Sequence, residues 1–146
     1  MPERSWSKLW SAAEEARRRA HAPYSRFLVG AAIECDDGSI VSGCNVENAS
    51  YGLTVCAERN AIGAMVLRGR SPRRVAIVVD HARPVPPCGV CRQVLAEFAA
   101  ADVPVRSRTL KGDALKTTVG ALLPFAFGGE FLDEAEAARR ARSKRR

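Results

Sequence analysis

Arg74-Val75-Ala76-Ile77-Val78-Val79-Asp80, followed after a proline-rich stretch by Pro87-Cys88-Gly89-Val90-Cys91-Arg92-Gln93, decides how the rest of the chain is read. Val75 to Val79 is apolar at every position. A strand with one wet face alternates in polarity, so the unbroken run predicts a central strand covered on both faces. Pro84, Pro86 and Pro87 form a loop, and residues 88–101 then read as a helix, with another strand over 103–107. Helices alternating with strands imply an α/β layered domain around a mixed sheet.

Working outward, residues 5–22 predict an amphipathic helix with Ser5 or Ser7 as N-cap and Pro23 as its stop. Leu9, Ala13, Ala16 and Ala20 share one face, and Arg17, Arg18 and Arg19 crowd the last turn, where the helix dipole favours cations. Trp6 and Trp10 lie one turn apart and are expected to pack, with another subunit as a candidate surface. Residues 28–35 and 40–45 are two β-prone runs joined by Asp36-Asp37-Gly38-Ser39, a hairpin signal. A loop over 46–54 leads to a helix over 55–68, stopped at Gly69. Beyond the second motif come a turn at Lys111-Gly112-Asp113, a short helix before Pro124 and a C-terminal helix from about Phe131. No internal repeat and no second domain are visible.

The 146 residues suit one domain, which buries roughly two-thirds of its unfolded surface. No apolar run approaches the roughly 18–20 residues of a membrane span, and Met1-Pro2-Glu3-Arg4-Ser5-Trp6 has no apolar signal region. A cytoplasmic protein is expected. The net charge of +7 is concentrated in the last eight residues, which carry six cations and no acid. Without them, 17 basic residues face 16 acidic ones. Such a tail is able to touch nucleic acid by counterion release, but a solvated, frayed terminus is the preferred reading.

Five cysteines cannot all pair, and in a reduced compartment clustered cysteines read as metal ligands or catalytic thiols. Cys35 and Cys44 fall in strands and read as small buried hydrophobes. Cys56, Cys88 and Cys91 stand at the starts of two helices, where unsatisfied N–H groups stabilise thiolates. The CxxC spacing lets two sulfurs meet one tetrahedral ion, with Cys56 as the third ligand. His21 and His81 supply no evident fourth ligand. Three protein ligands with an open position mark a catalytic zinc rather than a closed structural one. Glu58, two residues after Cys56, is placed to face the open position and to take and redeliver protons. Three thiolates make zinc a weak Lewis acid, so Arg59 is expected to draw charge from the sulfurs by hydrogen bonding.

A lone CxxC has redox and structural-zinc competitors. Joined to Cys56-Ala57-Glu58-Arg59 about thirty residues upstream, it resembles the short, zinc-dependent cytidine deaminases of pyrimidine salvage, whose chemistry includes a three-cysteine variant and a glutamate that is not a ligand. The resemblance extends over residues 5–132, through the stretches Pro23-Tyr24-Ser25-Arg26-Phe27-Leu28-Val29-Gly30-Ala31-Ala32, Gly43-Cys44-Asn45-Val46-Glu47-Asn48-Ala49-Ser50-Tyr51 and Leu122-Leu123-Pro124-Phe125-Ala126-Phe127-Gly128. It implies a three-layer α/β/α fold with a central mixed five-stranded sheet, a catalytic domain over 1–132, and the end of a C-terminal helix with a basic tail over 133–146. It implies one Zn²⁺ per subunit on Cys56, Cys88 and Cys91, with Glu58 as the proton carrier. Phe27 would flank the pyrimidine, Asn45 and Glu47 would bind the ribose 3′-hydroxyl, and the backbone at Ala57 and Cys88 would read the base. Tyr51 and Phe127 would complete the pocket from neighbouring subunits of a homotetramer. Pro86 stands where relatives commonly have Ser, and Asn60 where Thr is frequent. Phe125 is expected to reshape the pocket edge.

The resemblance implies hydrolytic deamination of cytidine and 2′-deoxycytidine. A blasticidin-S deaminase is the nearest rival. A polynucleotide deaminase is disfavoured because Glu47 would repel a 3′-phosphate, and because the body lacks a basic stripe with interleaved aromatics. A zinc-stabilised binding domain would need a fourth ligand and would have no use for Glu58.

Overall fold

Val75, Ile77 and Val79 face one core and Ala76 and Val78 another, which explains the unbroken apolar run. They belong to β3 (Pro72–Val79), the central strand of a sheet completed by β1 (Val29–Cys35), β2 (Ile40–Cys44), β4 (Pro104–Thr109) and β5 (Ala114–Thr118). The computed structural model describes residues 3–145. Its five strands run in the order β2-β1-β3-β4-β5. Only the β3–β4 pair is parallel; β1 pairs antiparallel with both β2 and β3, and β4 with β5. The sheet is mixed and five-stranded, as the resemblance implied.

On one face lies α1 (Ser7–Arg18), whose Leu9, Trp10 and Ala13 pack with Trp6 on Ala32, Ala76 and Val78. On the other lie α2 (Ala57–Leu67), α3 (Gly89–Phe98) and the short α4 (Val119–Leu122), contributing Ala61, Met65, Leu95 and Val119 to the larger core. Three layers result. Small residues set how close the helices come. A Cβ on Gly30 would lie 1.8 Å from the Ala13 carbonyl oxygen, and one on Gly43 would lie 2.5 Å from the Ala61 nitrogen. Both obstacles are helix backbone, which cannot rotate aside. Gly30→Ala is therefore expected to cost about 3 kcal/mol or more by displacing α1. An unchanged urea midpoint would contradict that close approach.

Several expectations need correction. The first helix is shorter than 5–22: a 3-10 turn, Glu3–Trp6, precedes it, and it ends at Arg18. Trp6 occupies the N-cap position, with no side-chain cap, because the Ser5 hydroxyl accepts a hydrogen bond from Arg74 instead. Trp6 and Trp10 are buried against this chain's own sheet, not offered to another subunit. Arg106 lies over the Trp6 ring at 4.2 Å and Arg108 over Trp10 at 4.9 Å. β5 is a strand that residue patterning did not delineate. The C-terminal helix α5 (Gly129–Ser143) starts two residues earlier than expected. Arg139, Arg140 and Arg142, read as part of a frayed tail, are helical, and Glu136 pairs with the first two. Among the described residues, no helix is long and apolar enough to cross a membrane.

Candidate active site

Two helix starts meet at the edge of the larger core. Cys56 is the N-cap residue of α2 and Cys88 that of α3, both in extended conformation and neither using its sulfur as a cap. Their carbonyls accept the first helical bonds, from Asn60 and Arg92, so the side chains are left free to face each other. Cys91 sits in the first turn of α3 and is fully buried. The three sulfurs lie within 4.8 Å of one another, and Cys56 Sγ and Cys88 Sγ are 3.7 Å apart. Thiolates bound tetrahedrally to zinc at about 2.3 Å stand about 3.8 Å apart, so the trio fits one zinc ion. Among the described residues no other His, Cys, Asp or Glu joins this group.

The electrostatics favour thiolate at one sulfur. Hydrogen bonding from the Cys91 thiol, assisted by Arg59, draws Cys56 down to about 5 against the opposing effect of burial. Cys91 is pushed up because it donates that bond and because it is buried. Arg59 Nη2 lies 4.0 Å from Cys56 Sγ and donates to the Thr54 carbonyl at 3.1 Å. That carbonyl fixes the guanidinium beside the sulfur. Arg59→Ala is expected to weaken zinc binding about 10- to 100-fold, the usual effect of losing a partner behind a ligand. Competition with a chromogenic chelator measures it, and unchanged affinity would remove Arg59 from the site.

Glu58 is 5% exposed on the second residue of α2. Burial pushes its carboxyl above the usual range, and the neighbouring Cys56 charge adds to this. It lines a cleft with Cys56, Ala57, Cys88, Phe27 and Asn45, whose apolar wall comes from Ile77, Val79, Val85 and Pro86. The cleft therefore holds one face of aliphatic groups, one aromatic ring and an acid beside the sulfurs. Such a place suits a flat, weakly polar ring.

The other expected site residues are placed less simply. Asn45 lines the cleft, but its amide also bridges backbone, accepting from Val29 N at 2.8 Å and donating to the Phe27 carbonyl at 2.7 Å. Glu47 lies in an adjoining depression with Tyr24, Ser25, Tyr51 and Thr54. Its carboxylate accepts from Tyr24 N, Ser25 N and Ser25 Oγ, and the serine bonds hold its pKa below the usual range. Tyr51 is 76% exposed and packs edge-on to Tyr24, while Phe127 is 58% exposed and stacks on Phe131. Phe127 does not line this chain's cleft. Neither does Phe125: it is fully exposed in a left-handed conformation and borders a separate groove with Leu123 and Pro124. Asn60 donates to the Cys44 carbonyl, tying α2 to β2.

Sequence reasoning missed the residues that bind the motifs together. Arg92 donates to the carbonyls of Pro87 and Leu122, and Gln93 to that of Phe127, so α3 holds the segment around Phe127. Their position directly after the CxxC was the available signal. Ser25, which touches Glu47 and Phe27, was visible only as part of the stretch before the first strand.

Comparison with known proteins agrees with this geometry. The sequence model of the "Cytidine and deoxycytidylate deaminase zinc-binding region" matches residues 4–107. A cytidine deaminase of Sporosarcina psychrophila is 50% identical over 129 residues, covering 88% of this chain and 95% of that protein. The crystal structure of a cytidine deaminase from Burkholderia pseudomallei superposes with a TM-score of 0.80 at 44% identity, over 87% of this chain and all of that one. A blasticidin-S deaminase of Bacillus cereus is less similar, 34% identical over 112 residues, or 70% of this chain and 79% of that protein. With the three sulfurs and the buried glutamate all inside the matched segment, the chain belongs to the zinc-binding cytidine and deoxycytidylate deaminase family.

Proposed function

We propose that this protein hydrolyses the exocyclic amine of cytidine and 2′-deoxycytidine, releasing ammonia and the corresponding uridines, as a step of pyrimidine salvage. The observation that carries this reading is the buried Glu58 carboxylate lining the same cleft as Cys56 and Cys88, two of the three clustered cysteines. Cys56, Cys88 and Cys91 would hold zinc, whose charge acidifies a water molecule so that a strong nucleophile exists near neutral pH.

The chain's own residues carry the remaining steps. Glu58 takes the proton of the attacking water and delivers it to ring N3, which makes C4 electrophilic. The C4–O bond forms, Glu58 passes the second proton to the amine, and the C4–N4 bond breaks as ammonia leaves. Burial raises the carboxyl's proton affinity, which suits a group that must hold a proton between donor and acceptor. Phe27 would stack on the pyrimidine, the backbone at Ala57 and Cys88 would read its edge, and Asn45 and Glu47 would take the ribose 3′-hydroxyl. Glu47 is held ionised, so it would repel a phosphate there, which favours a free nucleoside over a polynucleotide.

Residues 1–132 form the catalytic unit in this reading, and 133–146 the end of the C-terminal helix and a basic tail. The protein works in the cytoplasm as a homotetramer, a reading supported by the exposure of Tyr51 and Phe127 on the single chain. Ultraviolet assays on cytidine, 2′-deoxycytidine, blasticidin S and a short cytosine oligonucleotide test the substrate class. Turnover confined to cytidine and deoxycytidine is expected; comparable turnover of either other compound would overturn the assignment.

A further inference from the structure

The segment before β1 is held in an unusual shape. Arg26 has φ +57°, a left-handed conformation that arginine seldom adopts, and its N–H donates to the Ala22 carbonyl at 2.9 Å. Strain of this kind persists where surrounding bonds over-determine it, and it collects at ligand-binding sites. Here the over-determination comes from Ser25. An ionised carboxylate only accepts, so the single Ser25 hydroxyl proton must point to Glu47 Oε2, 2.6 Å away. The lone pairs of the same oxygen then accept from Phe27 N at 3.0 Å. The result is a directed chain from Phe27 N–H through Ser25 Oγ–H to Glu47. Asn45 closes the other side of Phe27 by donating to its carbonyl.

Glu47 has about four acceptor positions. Tyr24 N and Ser25 N occupy two on Oε1, and the Ser25 hydroxyl occupies one on Oε2. One position, on Oε2, is left for a ligand. We infer that Ser25 is a positioning residue for ribose recognition: it aims the last acceptor site of Glu47 and, through the same hydroxyl, fixes the backbone that carries the Phe27 ring. This rests on the reading above that Glu47 takes the 3′-hydroxyl and Phe27 the pyrimidine. Ser25 lines the depression that holds Glu47 and not the cleft beside the sulfurs. The part of its effect that passes through Glu47 must therefore depend on the 3′-hydroxyl being present, which an ordinary structural role does not require.

The test is steady-state kinetics of wild type, Ser25→Ala and Ser25→Thr on cytidine and on 3′-deoxycytidine, with zinc content measured for each protein. In Ser25→Ala, KM for cytidine is expected to rise about tenfold, the effect of one hydrogen bond to a charged group, with kcat within about twofold. On 3′-deoxycytidine the rise in KM for Ser25→Ala is expected to be much smaller, leaving only the part that passes through Phe27. Ser25→Thr, which keeps the hydroxyl, should restore most of the cytidine KM. An equal loss on both substrates, or no change on either, would overturn the role of Ser25 while leaving the deaminase reading intact. No turnover of cytidine by the zinc-loaded wild type would overturn both. Should Ser25→Ala fail to fold, the near-isosteric Ser25→Cys, a weak donor, is read on the same pair of substrates.

Discussion

Glu58→Gln is expected to turn cytidine over at least about 1000-fold more slowly than wild type while keeping its zinc and its affinity for the nucleoside. The size follows from the number of proton transfers assigned to one group. Water must lose a proton, N3 must gain one and the amine must gain another, and among the side chains lining the cleft only Glu58 is an acid. Glutamine has the same shape and still offers hydrogen bonds, but it cannot carry a proton. Zinc should stay, because the ligands are three sulfurs and none is altered. Stability should not suffer. A 5%-exposed carboxylate pays for its desolvation, and the neutral amide relieves that cost, so Tm should be unchanged or higher. The decisive comparison is kcat against bound zinc in the same preparation. Turnover within tenfold of wild type would exclude Glu58 as the proton carrier, and a loss of zinc would show it to be a ligand.

Cys88→Ala is expected to abolish activity by a different route, through loss of the metal. Of the three sulfurs, Cys88 is the exposed one, while Cys91 is buried in the core. Removing it should therefore disturb the apolar packing least. Two sulfurs cannot close a high-affinity tetrahedral site without another donor, and no further metal-binding side chain joins the group among the described residues. Zinc should fall from one equivalent per chain to a small fraction, and cytidine turnover to background. Because zinc binds the folded chain better than the unfolded one, its loss should also lower Tm, and added zinc should raise the wild-type Tm but not that of the variant. Full occupancy in Cys88→Ala would mean that the metal sits elsewhere.

The parts of the fold that were legible in the sequence are those where one segment carries its own signal. The Val75–Val79 run announced a strand between two cores, and Asp37-Gly38 announced the hairpin, with Gly38 at φ +82°. The cysteine spacing placed two helix starts against each other. What escaped depends on partners distant in sequence. Ser5 looked like a cap, but Arg74, 69 residues on, takes its hydroxyl. Ala114-Leu115-Lys116-Thr117-Thr118 is an edge strand with no buried residue, so it lacks the alternation that marks a half-buried one. Trp6 and Trp10 were legible as packing residues, but not what they pack on, which is Ala32, Ala76 and Val78 of the sheet. Phe125 gave no sign in the sequence of how exposed the single chain leaves it. The Ser25–Glu47 relay likewise spans 22 residues and rests on a hydroxyl orientation that no local pattern encodes.

The most direct measurement is the loss of cytidine absorbance, with ammonia assayed in parallel, for purified protein of known zinc content and for its Glu58→Gln variant. Conversion of cytidine to uridine with one ammonia per turnover, present in the zinc-loaded wild type and absent from the variant, is the expected result. Zinc-loaded wild type that leaves cytidine unchanged, or a variant that converts it at the wild-type rate, would contradict the assignment of this cleft as a nucleoside deaminase site.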